Sequence, residues 1–179
     1  MPAEITTPRL LLRRPRLDDA DAVLAIEGDP RTARFRPDGP MDRERSDAYL
    51  ASHLADWADD GLGYWMVEHD GELVGFTGQR RLDAPSSILP GVEPEALLNT
   101  YWRFSPGVWG AGVPTEAVRA AIDATLAAGT DRPVVAITTP DNVPSRRMAE
   151  RVGMRLHREV AHAWGVASVE YRLPVPSAI

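Results

Sequence analysis

The order of strand-like and helical segments is the feature that most limits how this chain can fold. Apolar clusters, periodic apolar stripes and turn residues predict a strand, two helices, three strands, a helix, a strand, a helix and two strands. Seven strands interleaved with four helices are typical of the α/β and α+β classes. The chain has 179 residues, no internal repeat and no Gly/Ser linker, so we predict one domain over residues 1–179.

The middle of the chain carries the clearest local signals. The runs Tyr64–Glu68 and Leu73–Gly78 flank an Asp-Gly pair, which predicts a tight hairpin. Residues 83–94 are rich in Pro, Ser and Gly and predict a long loop. The aromatic-rich run Leu97–Phe104 predicts a strand, and Pro114 opens the clearest amphipathic helix.

Two residue types are missing from the sequence, and their absence excludes several kinds of chemistry. Without cysteine there can be no disulfide, thiolate metal site or cysteine nucleophile. All 20 residues counted as Lys or Arg are arginine, so Schiff-base catalysis, pyridoxal phosphate anchoring and a lysine-bearing phosphate loop are excluded as well. The four histidines include no i, i+4 pair, and we predict no metal site.

The formal net charge of the chain is −6. An acidic balance argues against nucleic-acid binding through a positive surface and favours cationic or amine-bearing partners. No apolar run is long enough for a transmembrane helix, and the first ten residues lack the basic and apolar regions of a signal peptide. We therefore expect a cytoplasmic protein with no membrane partner.

A glycine-bearing loop leads directly into the helix that Pro114 opens. Its sequence from Trp109 to Ala117 is WGAGVPTEA. Open backbone N–H groups at a helix N-terminus attract phosphate together with the helix dipole, and glycines let the ligand come close. The loop is thus either a phosphate site or only a tight connection. Dinucleotide binding fits poorly, because the third glycine is missing and no acidic residue ends the next strand.

The run TYWRFSPGVWGAGVPTEAV (100–118) resembles the acetyl-CoA loop of the GNAT superfamily of N-acetyltransferases. That family pattern is Gln or Arg, two residues, Gly, one residue, then Gly or Ala. The run TPDNVPSRRMAERVGMRL (139–156) resembles the family's second cofactor segment. TPRLLLRRPRLDDADAVLAI (7–26) and YWMVEHDGELVGFTG (64–78) resemble the branch of the ribosomal-protein N-terminal acetyltransferases of RimJ/RimL type. The resemblance extends from about residue 6 to residue 173.

The resemblance implies a mixed, mostly antiparallel sheet of seven strands, flanked by about four helices and splayed between the aromatic strand and Pro133–Thr139. Acetyl-CoA would be the acetyl-donor cosubstrate, without a metal, and its pantetheine would lie in that gap. Backbone groups of Trp102, Arg103 and Phe104 would bind the pantetheine. Asn142 would reach the same arm, or would only cap the helix that follows it. The loop residues implied in binding the cofactor are Trp109, Gly110, Ala111, Gly112, Val113 and Thr115.

Two positions depart from the family pattern. Trp109 stands where the family has Gln or Arg, a replacement associated with the ribosomal branch. Pro114 stands at the second Gly or Ala and has no N–H to donate to a phosphate. A charge-assisted hydrogen bond contributes roughly 1.5–3 kcal/mol, so we expect weaker cofactor binding unless an arginine compensates. Arg147 is the candidate for the 3′-phosphate, and a solvated surface arginine is the alternative.

In the reaction that the resemblance implies, a neutral amine attacks the thioester carbonyl, and an acid protonates the leaving thiolate. Many family members use a tyrosine where this chain has Ala149, so Ser145, a serine position of the ribosomal branch, is the candidate acid. A local hydrogen bond is the alternative role of Ser145. No base is evident: Glu68 and Glu170 could act through water, and Glu116 suits the helix N-terminus instead.

Three functions stay open from the sequence. The leading one is an acetyl-CoA-dependent N-acetyltransferase that acts on a primary amine, either a protein or peptide N-terminus or a small molecule, by direct attack in a ternary complex. The second is a catalytically degenerate acyl-CoA-binding sensor or partner module, suggested by Pro114, Ala149 and the missing base. The third is a nucleotide- or phosphate-binding protein. Relatives often dimerise, and we expect a homodimer.

Overall fold

The computed structural model describes residues 1–59, 61–82, 97–161 and 166–174. The chain divides into two compact units. The first is formed by Met1–Gln79 and Tyr101–Gly129, and the second by Arg80–Thr100 and Thr130–Ile179. The loop predicted for residues 83–94 lies outside the described residues.

The first unit holds the N-terminal strands, the predicted hairpin and three α-helices. The four N-terminal strands pair antiparallel in chain order. Its elements are β1 (Glu4–Thr6), β2 (Leu10–Arg13), a 3₁₀ turn (Leu17–Asp19), α1 (Ala20–Glu27), α2 (Arg43–Asp59), β3 (Tyr64–His69), most of β4 (Glu72–Leu82), the second half of β5 (Leu97–Phe104), a 3₁₀ turn (Pro106–Val108) and α3 (Val113–Ala127).

The core of the first unit joins α1 and α2 to the hairpin. Apolar residues at helical spacing in α1 and α2 meet buried residues of β3 and β4. The buried members of this cluster are Val23, Ile26, Leu50, Tyr64, Met66 and Phe76. The hairpin is confirmed, with Asp70 at φ 52° and Gly71 at φ 80°, the left-handed pair that a type I′ turn requires.

The second unit holds the C-terminal strands and one α-helix. Strands β5 and β6 run parallel at Leu98↔Val134 and Asn99↔Val135, whereas β8 pairs antiparallel with both β6 and β7. Its further elements are β6 (Val134–Thr138), α4 (Val143–Arg151), β7 (Arg155–Ala161) and β8 (Ala167–Arg172). Within the described part of the chain, no helix is long and apolar enough to cross a membrane.

The strand order is β1-β2-β3-β4-β5-β6-β8-β7, and β5 belongs to both units. The mixed, mostly antiparallel class is confirmed, but the described residues form eight strands where the sequence predicted seven. The additional strand is β1, in which Ile5 pairs opposite Leu12 of β2. The prediction missed it because three residues, two of them exposed, carry no apolar run. Pairing with a neighbour, rather than local pattern, makes this segment a strand.

Candidate functional site

The loop before α3 is shaped by two glycines in the left-handed region. Gly110 has φ 77° and Gly112 has φ 78°, which glycine adopts without the strain that a side chain would bring. Gly112 is also the N-cap of α3, so no side chain caps this helix. A Cβ built on Gly110 would meet no atom within 4 Å. The loop backbone is therefore open to a ligand.

Three backbone N–H groups in this loop have no acceptor among the described residues: those of Gly110, Gly112 and Val113. The neighbouring amides of Trp109 and Ala111 donate to the preceding 3₁₀ turn, at N···O distances of 3.2 and 3.4 Å. The open amides lie where α3, a helix of 15 residues, begins. Open N–H groups and the positive end of the helix dipole together favour an anion here.

Pro114 is the second residue of α3 and is buried. Its fixed φ suits the first turn of a helix. The N–H that it lacks is one that the helix itself would leave unpaired, so α3 loses no internal hydrogen bond. Pro114 therefore costs α3 none of its own hydrogen bonds, and the amide of Val113 remains in the loop.

Glu116 ties the first turn of α3 to the N-terminal segment. Its carboxylate accepts hydrogen bonds from Thr7 Oγ1 at 2.6 Å and from Arg9 Nε at 2.7 Å. Arg9 Nη1 also donates to the carbonyl of Ala111 at 3.0 Å. Burial opposes the ionisation of Glu116, but the hydrogen bonds from Thr7 and Arg9 outweigh burial and lower its pKa. Glu116 therefore braces the loop and suits the helix N-terminus better than the role of a base.

Backbone alternation on β5 distinguishes the three residues predicted to bind pantetheine. The Ser105 N–H donates to a carbonyl of β4 at 2.8 Å, and the peptide groups of successive strand residues point to opposite edges. The peptide groups of Trp102 and Phe104 therefore point away from β4, and those of Arg103 point towards it. The Phe104 carbonyl accepts one hydrogen bond from the Trp109 indole, at 2.9 Å. Trp102 and Phe104 are thus the better backbone candidates.

In the second unit, Asn142 is the N-cap of α4. Its side-chain oxygen accepts from the Ser145 N–H at 3.2 Å, and the Val143 N–H donates to the Asp141 carbonyl at 2.8 Å. The cap occupies the amide oxygen of Asn142 and leaves both Nδ2 protons available to a ligand. The Ser145 hydroxyl is half-buried and has no hydrogen-bond partner in the described ranges. The local hydrogen bond considered as its alternative role is not seen among these residues.

Two adjacent arginines follow Ser145. Arg146 is held by the fold, with Nε 3.1 Å from the Tyr171 hydroxyl and Nη1 3.0 Å from the Pro140 carbonyl. Arg147 is exposed, and no carboxylate of the described residues pairs with it. Arg147 is the fifth of the nine residues of α4, beyond its first turn. Its guanidinium is available to a phosphate.

The carboxylates considered as bases are both held in ion pairs. Arg13 Nε lies 2.5 Å from Glu68, and Glu170 is fully buried between Arg158 Nε at 2.9 Å and Arg172 Nε at 2.5 Å. Both carboxylates are thus engaged by arginine side chains in the fold. In the ranges that the structure describes, no three His, Asp or Glu side chains come together to hold a metal ion.

Sequence reasoning missed a buried charged cluster at the end of α1. Glu27 is fully buried and forms ion pairs with Arg36 and with Arg103, whose Nε lies 3.3 Å from Glu27 Oε1. Arg103 Nε donates to the Tyr101 hydroxyl at 2.7 Å. The available signal was a charged residue four positions after Val23, on the apolar stripe of α1.

Comparison with known proteins gives a family and a fold. The family model described as an acetyltransferase (GNAT) domain matches residues 9–155. A relative, the uncharacterized N-acetyltransferase YnaD of Bacillus subtilis (strain 168), is 24% identical over 152 residues, which are 84% of this chain and 82% of the relative.

Two solved structures have the same fold. The microcin C7 self-immunity acetyltransferase MccE, in complex with acetyl-CoA and AMP, is 15% identical with a TM-score of 0.77 and covers 98% of each chain. The acetyl transferase of Salmonella typhimurium that modifies the N-terminal serine of ribosomal protein L7/L12 is 14% identical with a TM-score of 0.76 and covers 94% of this chain and 96% of its own. At these identities the likeness concerns the fold alone.

The family match extends over most of the chain. It runs from the residue before β2 to the first residue of β7, so it includes the open loop before α3 and the capped start of α4. This chain therefore belongs to the GNAT family of acetyltransferases.

Proposed function

We propose that this acetyltransferase transfers the acetyl group of acetyl-CoA to a primary amine by direct attack in a ternary complex. The observation that carries the proposal is the loop before α3, where the amides of Gly110, Gly112 and Val113 are open at a helix N-terminus. A pyrophosphate is the part of acetyl-CoA that such a loop binds best. Pro114 supplies no amide, so the anion is held by fewer N–H groups than the family pattern provides.

The other cofactor contacts are assigned from the resemblance and from hydrogen-bonding capacity. Peptide groups of Trp102 and Phe104 bind the pantetheine, because they lie on the edge of β5 away from β4. The Asn142 Nδ2 group donates to the same arm while its oxygen caps α4. Arg147 binds the 3′-phosphate, since its guanidinium is exposed and pairs with no described carboxylate.

The reaction moves one proton from nitrogen to sulfur. The neutral amine forms the N–C bond as the C–S bond of the thioester breaks, water accepts the amine proton, and the Ser145 hydroxyl donates a proton to the leaving thiolate before regaining one from solvent. With Glu68 and Glu170 both ion-paired, rate acceleration rests mainly on positioning an already neutral amine beside the thioester.

The acceptor is a primary amine of a peptide N-terminus or of a small molecule. The Salmonella relative, which modifies the N-terminal serine of L7/L12, supports the first class, and the net charge of −6 favours an amine of either class. A second function, acyl-CoA binding without turnover, is favoured by one specific observation, the ion pairing of both candidate bases.

Calorimetric titration with acetyl-CoA tests the proposal, with dephospho-CoA and ADP as control ligands. We expect acetyl-CoA to bind more tightly than ADP, because only acetyl-CoA carries the pantetheine arm, and more tightly than dephospho-CoA, which lacks the 3′-phosphate. Absence of acetyl-CoA binding at millimolar concentration would overturn the proposal. Binding without acetylation of any amine in a panel of peptides and small amines would favour the second function.

A further inference from the structure

The cluster around Glu27, formed by Glu27, Arg36, Tyr101 and Arg103, contains two guanidinium groups and one carboxylate. Arg36 pairs with Glu27 and Arg103 Nε lies 3.3 Å from Glu27 Oε1, while the side chains of the two arginines are 12% and 14% exposed. Arg103 Nη1 donates to the carbonyl of Thr32. No other carboxylate among the described residues contacts either arginine. The cluster therefore carries one positive charge in excess.

The charge balance of this cluster is the reverse of that around Arg13. The nearly buried Arg13 pairs with two carboxylates, with Nη2 2.6 Å from Asp19 and Nε 2.5 Å from Glu68. An unmatched charge in a buried position is unfavourable, and a bound ion of opposite sign offsets that cost. Burial opposes the charge of Arg103, but Tyr101 and Glu27 outweigh burial and raise the pKa of Arg103. The excess cation is thus permanent at physiological pH.

Aromatic rings adjoin the charged cluster. Tyr101 stacks on Tyr64 at a centroid distance of 5.4 Å and on Phe76 at 6.1 Å, and Tyr49 meets Phe76 edge to face at 6.1 Å. Tyr49 and Tyr101 are partly exposed. No hydrogen bond is made by the Tyr49 hydroxyl within the described part of the chain. A ligand at the cluster would therefore meet apolar ring surface and one free hydroxyl beside two cations.

We propose that Arg36 and Arg103 bind a carboxylate of the acceptor, so that the preferred substrate is a small primary amine that carries a carboxylate and an aromatic or apolar body. This inference rests on the proposed function, since Arg103 is the neighbour in β5 of Trp102, to which pantetheine binding is assigned. Guanidinium groups bind carboxylates through paired hydrogen bonds. A single carboxylate also matches the single excess charge, whereas a phosphate dianion exceeds it.

Binding of a matched ligand pair to the protein without acetyl-CoA tests the inference. N-acetylphenylalanine and N-acetylphenylalaninamide differ only in whether the terminal group is charged. We expect calorimetry to give a Kd at least about tenfold lower for the acid, because a charged hydrogen-bonded pair replaces a neutral one. Equal binding of the two ligands, no binding of either at 20 mM, or tighter binding of inorganic phosphate than of the acid would overturn the inference.

Two conservative substitutions should change the affinity for the acid in opposite directions. Glu27→Gln keeps the shape of the cluster and removes its negative charge, so the acid should bind several-fold tighter while the amide is unaffected. Arg36→Gln should bring the acid to within about twofold of the amide. Arg31→Gln is the control, because Arg31 lies nearby in sequence but is exposed and pairs with Asp29. A merely structural ion pair predicts no gain of acid binding on Glu27→Gln.

The titration also separates this inference from the proposed function. The acid and the amide are titrated without acetyl-CoA, so the two proposals can fail separately. If the protein binds the acid selectively but does not bind acetyl-CoA, the acetylation proposal fails and the carboxylate site remains. Binding of acetyl-CoA together with equal affinity for acid and amide would do the reverse. Arg103 itself is left unchanged in these experiments, because it also supports Thr32 and Tyr101.

Discussion

Helices α3 and α4 begin with nearly the same four residues but differ in how the fold satisfies their first N–H groups. Residues 112–115 are Gly-Val-Pro-Thr, and residues 142–145 are Asn-Val-Pro-Ser. In both, the cap is followed by valine and by a proline at the second helical position. At α4 the Val143 and Ser145 amides both find acceptors, in Asp141 and Asn142. At α3 the Val113 amide finds none in the described residues.

The difference lies in the cap residue and in the residue before it. The side-chain oxygen of Asn142 accepts a hydrogen bond that solvent or a ligand would otherwise accept, so the protein itself satisfies the start of α4. Gly112 brings no side chain, and among the described residues no acceptor meets the amides of Gly110, Gly112 and Val113, so they stay open. An uncapped helix start thus leaves N–H groups free to bind an anion.

The largest expected effect comes from a negative charge in the open loop. Gly110→Asp should weaken acetyl-CoA binding by about 100-fold, because a carboxylate near the pyrophosphate costs a few kcal/mol. Gly129→Asp is a matched control, since both glycines have φ 77° and neither would place a Cβ within 4 Å of another atom. Both variants should lose similar stability in thermal unfolding. An equal loss of acetyl-CoA affinity in the two would show that strain, not charge, acts.

At the capped helix start, the Ser145 hydroxyl should affect chemistry rather than binding or stability. Ser145→Ala should lower kcat by about 100-fold, the usual contribution of a positioned acid, and leave the KM for acetyl-CoA unchanged. Thermal stability should not change, because the hydroxyl has no hydrogen-bond partner in the described ranges. Ser145→Thr, which keeps a hydroxyl and matches Thr115 of α3, should recover part of the rate. An unchanged kcat in Ser145→Ala would remove Ser145 from the reaction.

A comparison of acetyl-CoA with dephospho-CoA tests whether Arg147 binds the 3′-phosphate. Arg147→Ala should weaken acetyl-CoA binding by about tenfold, as expected for one charge-assisted contact, and leave dephospho-CoA binding unchanged because that ligand lacks the 3′-phosphate. The unfolding temperature should stay the same, because Arg147 is exposed and pairs with no carboxylate of the described residues. Equal weakening for both ligands would place Arg147 elsewhere on the cofactor or off it.

Most of the fold could be predicted because local patterns and turn chemistry agree with it. The Asp-Gly hairpin, the aromatic strand Leu97–Phe104 and the helix opened by Pro114 all lie where apolar periodicity and punctuating residues placed them. Strand β1 could not be predicted, because it depends on pairing with β2 and has no apolar pattern of its own.

The site was predictable where its parts are close in sequence. Glycines directly before a helix indicated the loop at residues 109–115, and one asparagine before a proline indicated the start of α4. The Glu27 cluster was not predictable, since Glu27, Arg36 and Arg103 meet only through the tertiary fold. Sequence also could not decide between cap and ligand for Asn142, because the amide can serve both through different atoms.

Removing the side-chain cap of α4 tests whether Asn142 stabilises the helix, binds the cofactor or does both. Asn142→Ala should lower the free energy of unfolding by about 1 kcal/mol, the usual cost of losing a side-chain N-cap, and Asn142→Ser should restore most of it. If Nδ2 also binds pantetheine, acetyl-CoA affinity should fall in both variants, since serine replaces the cap but not the amide. Unchanged affinity in Asn142→Ala would restrict Asn142 to capping.

The smallest expected effect concerns the brace at the start of α3. Thr7 and Arg9 lower the pKa of Glu116 below its ordinary value of 4.5, so its contribution to stability is present above pH 4.5 and is lost as the pH falls through the lowered pKa. Glu116→Gln should therefore lower the free energy of unfolding by about 0.5–1 kcal/mol at pH 7 and by progressively less in denaturant titrations below pH 4.5.

The control for Glu116 is another acidic residue in a first helical turn. Glu44 of α2 is exposed and makes no ion pair among the described residues, so Glu44→Gln should change stability only by the weak interaction with the helix dipole. If Glu116→Gln loses more stability than Glu44→Gln, the hydrogen bonds from Thr7 and Arg9 hold the loop in place. Because those bonds fix the segment that carries the open amides, Glu116→Gln should also weaken acetyl-CoA binding about twofold at pH 7, whereas Glu44→Gln should not.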